Sequence, residues 1–248
     1  LIAHIADLEM LKPLVEEIPP VAEKLMDAFW PGPMTLIFNK SNLVPKGTTG
    51  GLDTVAVRYP NHPIAQALIK AAGVSIAAPS ANLSGKPSPT LGEHVIDDMD
   101  GRIDMIIDGG MVGMGLESTI IDVTVNPPMI LRPGFITYEM VKEIVPDATE
   151  DRTIFTKPTK EFKPKAPGMK YRHYAPKANL TIVSGEAGAV IERINALTQE
   201  HQQKGEKVGI ICTDESRSQY VGDVIKSTGS RQDEDSIAQH LYADRKSV

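Results

Sequence analysis

The stretch from residue 77 to residue 90 constrains the fold of this chain more than any other. It follows a short apolar run, residues 73–76, that indicates a buried strand, and it precedes a helical pattern that starts near Thr90. Strand, loop and helix in this order are typical of an open α/β sheet, where ligands bind at strand ends. Short hydroxyl side chains and backbone N–H groups suit an oxyanion. A turn-rich surface loop is the alternative, because no phosphate-loop signature is present.

Apolar runs alternate with helical patterns along the chain, which predicts the α/β class. The predicted strands include residues 1–5, 34–38, 54–58, 105–108, 117–123, 129–132, 180–183 and 207–212. The predicted helices include residues 8–18, 21–29, 64–72, 91–99, 138–145 and 187–203. The strand–helix–strand order in the last part of the chain favours a small parallel sheet.

Charge and composition exclude several classes of protein. The formal net charge is −6, so bulk attraction to nucleic acid or to an anionic membrane is not indicated. The single cysteine, Cys212, rules out an internal disulfide and a multi-cysteine zinc site. No apolar run approaches the roughly 18 residues that a membrane span needs. We therefore expect a cytoplasmic protein.

A basic, proline-rich segment separates two predicted domains. Residues 152–177 hold eight Lys or Arg residues, four prolines and one acidic residue, Glu161. This composition predicts a stiff linker. A linker of this length is either functional or a solvated spacer. The predicted division is 1–150 for the main domain, 151–178 for the linker and 179–248 for a small α/β domain. We expect both ends to be incomplete, because the chain begins inside an apolar run at Leu1 and stops at Val248 with too few strands for a stable sheet.

Two arginines share one local pattern. Arg58 and Arg132 each end an apolar strand pattern and are followed by a proline within two residues. Two guanidinium groups delivered at strand ends suit a carboxylate or phosphate ligand. A solvated arginine at a strand end is the alternative interpretation for Arg58.

Several ordered motifs resemble the YrdC-like family and, within it, the two-domain threonylcarbamoyl-AMP synthases. The motifs that carry the resemblance are residues 1–5, 30–35, 55–60, 78–85, 117–120 and 131–134, and the linker stretch 166–176 is similar to that of the two-domain form. The resemblance is dense up to about Pro176 and covers only the general pattern beyond it. It implies a twisted, open, mixed sheet followed by a linker and a smaller Rossmann-like domain.

The resemblance also implies a reaction. In that family, L-threonine and bicarbonate form a carbamate whose oxygen attacks the α-phosphate of ATP, giving threonylcarbamoyl-AMP and pyrophosphate. A separate complex uses this product to modify a tRNA adenosine. Such a site supplies positive charge and orientation more than a nucleophile, and Mg2+ on the triphosphate contributes part of the charge. The expected ligands are therefore ATP with Mg2+, L-threonine and bicarbonate, with tRNA as a further possible contact.

Motif matching carries the family's binding roles onto this sequence. The matched threonine-site positions are His4, Arg58, Ala78 and Ser118. The matched nucleotide-site positions are Thr54, Ser80, Ser88 and Arg132, to which Asn82 of the central loop and Tyr174 of the linker are added. Ala78 is expected to act through its backbone or its shape. A core histidine is the alternative interpretation for His4.

This sequence departs from the family pattern at its beginning, and two other functions compete with the predicted one. The family's N-terminal threonine and triphosphate motifs precede the His4 strand and lie outside this sequence, so a chain that started at Leu1 is expected to be inactive. The first rival is a YrdC-like carbamoyl transferase of the hydrogenase-maturation type. The second is binding of double-stranded RNA or tRNA through the basic segment 152–177.

Overall fold

The computed structural model describes residues 1–151, 178–237 and 240. The chain divides into two compact units. Of the described residues, the first unit contains 1–79 and 117–151, and the second contains 80–116 and 178–240. The predicted boundaries at residues 150 and 178 stay a prediction, because the segment between them lies almost wholly outside the described residues.

A seven-stranded sheet forms the first unit, and it confirms the predicted α/β class with a mixed sheet. Its strands are β1 (Ile2–His4), β2 (Met34–Asn39), β3 (Thr54–Arg58), β4 (Ile76–Ala78), β5 (Thr119–Asp122), β6 (Met129–Arg132) and β7 (Thr149–Glu150). Their order across the sheet is β4-β1-β3-β2-β5-β6-β7. Three neighbouring pairs, β1–β3, β2–β5 and β6–β7, are parallel, and the other three are antiparallel.

Helices of ordinary amphipathic pattern accompany the strands in both units. They are α1 (Pro20–Phe29), α2 (Lys46–Thr49), α3 (Pro63–Ala72), α4 (Gly92–Met99), α5 (Tyr138–Ile144), α6 (Ala187–Gln203) and α7 (Asp214–Arg217). Proline opens α1 and α3, where its missing N–H costs no hydrogen bond. The α3 helix ends at Gly73, whose φ of 67° is a left-handed cap conformation.

The two faces of the sheet carry different clusters of apolar side chains. The larger core includes Leu36, Val57 and Ile121 from the sheet, together with Leu25 of α1 and Val141 of α5. The opposite face carries a smaller floor of apolar side chains, which are Ile37, Ala56, Ile120 and Leu131, with Ile2 and Met129 packed beside them. We call this second face the site face, because the polar side chains described below project from it.

The predicted helix over residues 8–18 is wrong. Asp7 Oδ1 accepts the Met10 N–H at 2.9 Å and closes a turn, and only Lys12–Leu14 is helical, as a short 3-10 turn. Pro13 lies in the middle of the apolar pattern, where it removes an amide donor that an α-helix needs. The apolar spacing was real, since Leu11 and Leu14 are buried, but it belongs to an irregular segment.

Two predicted strands, over residues 105–108 and 180–183, are also wrong. Both segments lack strand hydrogen bonding, and Met105, Leu180 and Ile182 are 76%, 60% and 84% exposed. An apolar run becomes a strand only where a neighbouring strand pairs with it and covers its side chains. Within the described residues, neither run has such a neighbour.

The last part of the second unit contains a parallel pair of strands, as predicted. The partner of the strand predicted over 207–212 is not the segment 180–183. Strand β8 (Gly209–Cys212) pairs in parallel with β9 (Val224–Ser227), and α7 lies between them in sequence. Among the residues that the structure describes, no helix combines the length and apolar character needed to cross a membrane.

Candidate functional site

Strand alternation places several predicted site residues on the site face. Successive side chains of a strand point to opposite faces, so Thr54, Ala56 and Arg58 of β3 share one face. His4 is the direct neighbour of Arg58 across the β1–β3 pair, and Thr35 is its neighbour across β2–β3. Ala56 belongs to the apolar floor of the site face, so its neighbours Thr54 and Arg58 also project there.

Arg132 reaches the site face through a β-bulge. Ile121 opposes Ile130, but Ile120 opposes Arg132, so Leu131 is an extra residue in β6. Without the bulge, Arg132 would share the opposite face with Ile130, which belongs to the larger core. A bulge adds one residue to one strand and redirects the side chains that follow it. The side chains of Leu131 and Arg132 therefore both lie on the site face.

Arg132 is fixed against the start of β5. Its Nε and Nη2 donate to the Ser118 carbonyl oxygen at 3.1 and 2.8 Å, and Nη2 also donates to Ser118 Oγ at 3.0 Å. The Ser118 hydroxyl lies 2.8 Å from Thr35 Oγ1. Ser118 was predicted for threonine and Arg132 for the nucleotide, so the structure brings one member of each predicted set into direct contact.

The guanidinium group of Arg58 has hydrogen-bond donors that no described residue accepts. Its Nε donates to the Gly32 carbonyl oxygen at 3.0 Å, and neither terminal nitrogen has a partner among the described residues. Burial lowers the pKa of Arg58 below its ordinary value, and the nearby positive charge of Arg132 lowers it further. A bound anion would offset the repulsion between two guanidinium groups on one surface. Anion binding by Arg58 stays a prediction.

His4 is held as an uncharged imidazole. Its Nδ1 lies 3.3 Å from the Ile76 carbonyl oxygen, and because a carbonyl can only accept, Nδ1 carries the proton. Burial lowers the pKa of His4 from 6.5, and Arg58 lowers it further, against a smaller opposite effect of the Ile76 and Ile2 backbone. His4 is partly buried beside Arg58 and lies outside both apolar clusters.

We expect the His4 imidazole to make folding sensitive to mild acid. Its pKa is lowered by folding, so below about pH 6.5 the unfolded chain binds a proton that the folded chain resists. The free energy of unfolding should therefore fall as pH drops through this range and level off below the folded pKa. Urea unfolding at pH 7.5 and pH 5 should show a smaller loss for His4→Gln than for the unmodified protein. Equal losses in both proteins would contradict this assignment.

Ala78 and Thr54 lie further along the same face. Ala78 opposes Ile2, two residues before His4 in β1, and so shares the side of His4. Thr54 is four residues before Arg58, a separation of about 13 Å along a strand. The predicted site residues of the first unit are therefore spread along the site face. This spread suits a ligand that is longer than an amino acid.

The predicted nucleotide residues Ser80, Asn82 and Ser88 lie in the second unit. Asn82 Nδ2 donates to the Leu83 and Lys86 carbonyl oxygens at 2.9 and 3.1 Å, and its buried Oδ1 has no partner in the part of the chain that the structure describes. Asp98 of α4 accepts the Leu83 N–H and the Lys86 ammonium group, and it is only 3% exposed. Asp98 therefore anchors the loop. Tyr174 lies outside the described residues.

A cleft of about 320 Å3 lies within residues 80–116. Its lining is mainly apolar and includes Val95, Ile103 and Ile107. None of the predicted site residues that the structure describes lines it. The polar chemistry predicted from the sequence is therefore not the chemistry of this cleft.

Sequence reasoning missed three residues that shape the site. The sequence analysis gave no role to Thr35, Asp98 or Gly134. A Cβ at Gly134 would lie 2.3 Å from the Glu117 carbonyl oxygen and 2.6 Å from the Thr119 nitrogen. The available signal for Thr35 and Gly134 was their position at the end of two motifs that carry the resemblance, 30–35 and 131–134, whereas Asp98 lies in none of these motifs.

Family models match almost the whole chain. The model described as telomere recombination matches residues 1–134, and the model described as threonylcarbamoyl-AMP synthase, C-terminal domain, matches residues 136–244. The chain belongs to the two-domain threonylcarbamoyl-AMP synthase family. The resemblance to the two-domain form that the motifs predicted is thereby confirmed.

Relatives with this name come from distant organisms. The threonylcarbamoyl-AMP synthase of Bacillus subtilis is 46% identical over 98% of this chain and 68% of the relative, and that of Pyrococcus abyssi is 47% identical over 91% and 67%. The crystal structure of Pyrococcus abyssi Sua5 complexed with L-threonine has a TM-score of 0.93 and 44% identity, covering 100% of this chain and 70% of the other. The described residues thus share the fold of this relative.

Proposed function

We propose that this chain carries the substrate site of an L-threonylcarbamoyladenylate synthase, a nucleotidyltransferase. The observation that carries the proposal is the pair of guanidinium groups, Arg58 and Arg132, brought onto one sheet face with Ser118 bonded to Arg132. The reaction joins a carbamate to a triphosphate, and two anions approach each other only where fixed positive charge offsets their repulsion. Family membership and the name of the relatives support the same activity.

Each predicted residue has a place in this proposal. The amino acid occupies the part of the site face near His4, Arg58, Ala78 and Ser118. The crystal structure of the Pyrococcus abyssi relative with L-threonine supports threonine as that amino acid. The nucleotide is assigned to Thr54, Ser80, Asn82, Ser88, Arg132 and Tyr174. The uncharged His4 adds a hydrogen-bonding group without adding a third charge beside the arginines.

Magnesium enters this proposal with the nucleotide. Within the described ranges, no group of three or more His, Cys, Asp or Glu side chains is placed to hold a metal ion. We write the substrate as MgATP, in which the ion would neutralise part of the triphosphate charge. The remaining reactants are L-threonine and bicarbonate, and the product serves tRNA modification in the cytoplasm.

Threonine-dependent release of pyrophosphate from ATP in bicarbonate buffer tests the proposal in the full-length protein. Arg132→Ala removes a cation and three hydrogen bonds to Ser118, so we expect MgATP affinity to fall by roughly tenfold or more. Arg102→Ala, which removes an exposed arginine, is the matched control and should leave affinity unchanged.

Three results would count against the proposed activity. Pyrophosphate release that ignores threonine or bicarbonate would contradict the carbamate step. Salt-sensitive binding of tRNA without nucleotide turnover would favour the RNA-binding alternative. Carbamoyl phosphate serving as the substrate would favour the carbamoyl transferase.

A further inference from the structure

Thr35 is a buried hydroxyl residue beside the site that no predicted role includes. It is 0% exposed, although it lies at the beginning of β2 next to Arg58. Its Oγ1 lies 2.8 Å from Ser118 Oγ, and this is its single side-chain hydrogen bond among the described residues. A buried hydroxyl with one partner has a definite donor and acceptor arrangement, which can be worked out from the groups around it.

The neighbours of Ser118 restrict the direction of this bond. A guanidinium group can only donate, so Arg132 Nη2 occupies one of the two lone pairs of Ser118 Oγ. In either direction, one of the two hydroxyl protons has no acceptor among the described residues. That proton costs less on Ser118, which keeps 3% exposure towards the site, than on Thr35, which is 0% exposed. Thr35 therefore donates, and it occupies the second lone pair of Ser118.

This arrangement leaves Ser118 with one unused capacity. Both of its lone pairs are filled, by Arg132 and Thr35, so its hydroxyl proton is what remains to bind another group. A hydroxyl in this state can donate but cannot accept. Its orientation is set before a ligand arrives, which lowers the entropic cost of binding.

We propose that Thr35 is a positioning residue that fixes the Ser118 hydroxyl as a hydrogen-bond donor to the carboxylate or carbamate oxygen of the amino acid substrate. The inference rests on the proposed function, because it assumes that Ser118 contacts that substrate. It adds a residue that touches no substrate itself, and it gives the Ser118 hydroxyl a direction. A donor-only hydroxyl favours an anionic group over an ammonium group at this point of the site.

A double-mutant cycle in the full-length protein tests the inference. Thr35→Val keeps the shape and removes the hydroxyl, Thr35→Ser keeps the hydroxyl, and Ser118→Ala removes its target. We expect Thr35→Val to weaken L-threonine binding about fivefold, the size of one hydrogen bond, and Thr35→Ser to stay within about twofold of the unmodified protein. In the Ser118→Ala background, Thr35→Val should have no further effect.

The outcomes separate this inference from the proposed function. If Ser118→Ala weakens threonine binding but Thr35→Val does not, the inference is overturned and the proposed function stands. If neither change affects threonine binding, the proposed contact of Ser118 fails as well. An equal effect of Thr35→Val with and without Ser118, or no rescue by Thr35→Ser, would show a merely structural role. Thr35→Ala, which removes the same hydroxyl, replaces Thr35→Val in the cycle if the valine variant does not fold.

Discussion

Replacing Arg58 by alanine should weaken binding of L-threonine about a hundredfold, as expected for the loss of two charge-assisted hydrogen bonds. Both terminal nitrogens of Arg58 lack a partner among the described residues, so a bound anion would be their main acceptor. Arg58→Lys should restore only part of the affinity, since lysine keeps the charge but loses the fork and the bond to the Gly32 carbonyl. Calorimetric titration of the full-length protein measures both changes.

The exposed Arg102 again provides the control for the loss of a positive charge. Arg102→Ala should bind threonine like the unmodified protein, which separates a local contact at Arg58 from the general effect of a lower net charge. Thermal unfolding should show that Arg58→Ala still folds, because the Arg58 side chain makes only one hydrogen bond to the described residues. Threonine affinity within twofold of normal in Arg58→Ala would remove the basis for the proposed substrate site.

Replacing Gly134 by alanine should damage both stability and binding. The added Cβ would lie 2.3 Å from the Glu117 carbonyl oxygen and 2.6 Å from the Thr119 nitrogen, so the backbone that leads into β5 must move. Overpacking of this kind typically costs about 1–3 kcal/mol of unfolding free energy. The shift would also carry Ser118 away from Arg132 and Thr35. Urea unfolding and threonine titration should both show the loss.

Gly47→Ala is the matched control for Gly134→Ala. Gly47 lies in α2 of the same unit, and a Cβ there meets no atom within 4 Å. Alanine also suits a helix better than glycine does, so this variant should be as stable as the unmodified protein or slightly more stable. Unchanged stability and threonine affinity in Gly134→Ala would show that the start of β5 can move without harming the site.

The sequence predicted the parts of the site that depend on strand position. The end of β3 and the end of β1 were readable from apolar runs, so the placement of Arg58 and His4 at strand ends followed. The family resemblance then proposed which of these residues bind substrates. What remained hidden was the direction of each side chain relative to the others, because alternation along one strand does not fix its register against the next strand.

Arg132 and Thr35 illustrate what a single sequence leaves out. Simple alternation assigns Arg132 to the same face as the buried Ile130, and only the extra residue in β6 reverses that assignment. Thr35 reads as one more strand residue until Ser118, 83 positions away, is seen beside it. The same limit explains the wrong strands at 105–108 and 180–183, whose apolar residues find no partner strand within the described residues.

The extra residue in β6 makes the length of that strand a determinant of binding. Deleting Leu131 would restore regular pairing and turn the following guanidinium group towards the interior of the protein, although every charged side chain would still be present. Relatives that keep the arginine but shorten this strand by one position should therefore have one positive charge fewer on this surface. Alignments that tolerate a gap here would pair residues that occupy opposite sides of the sheet.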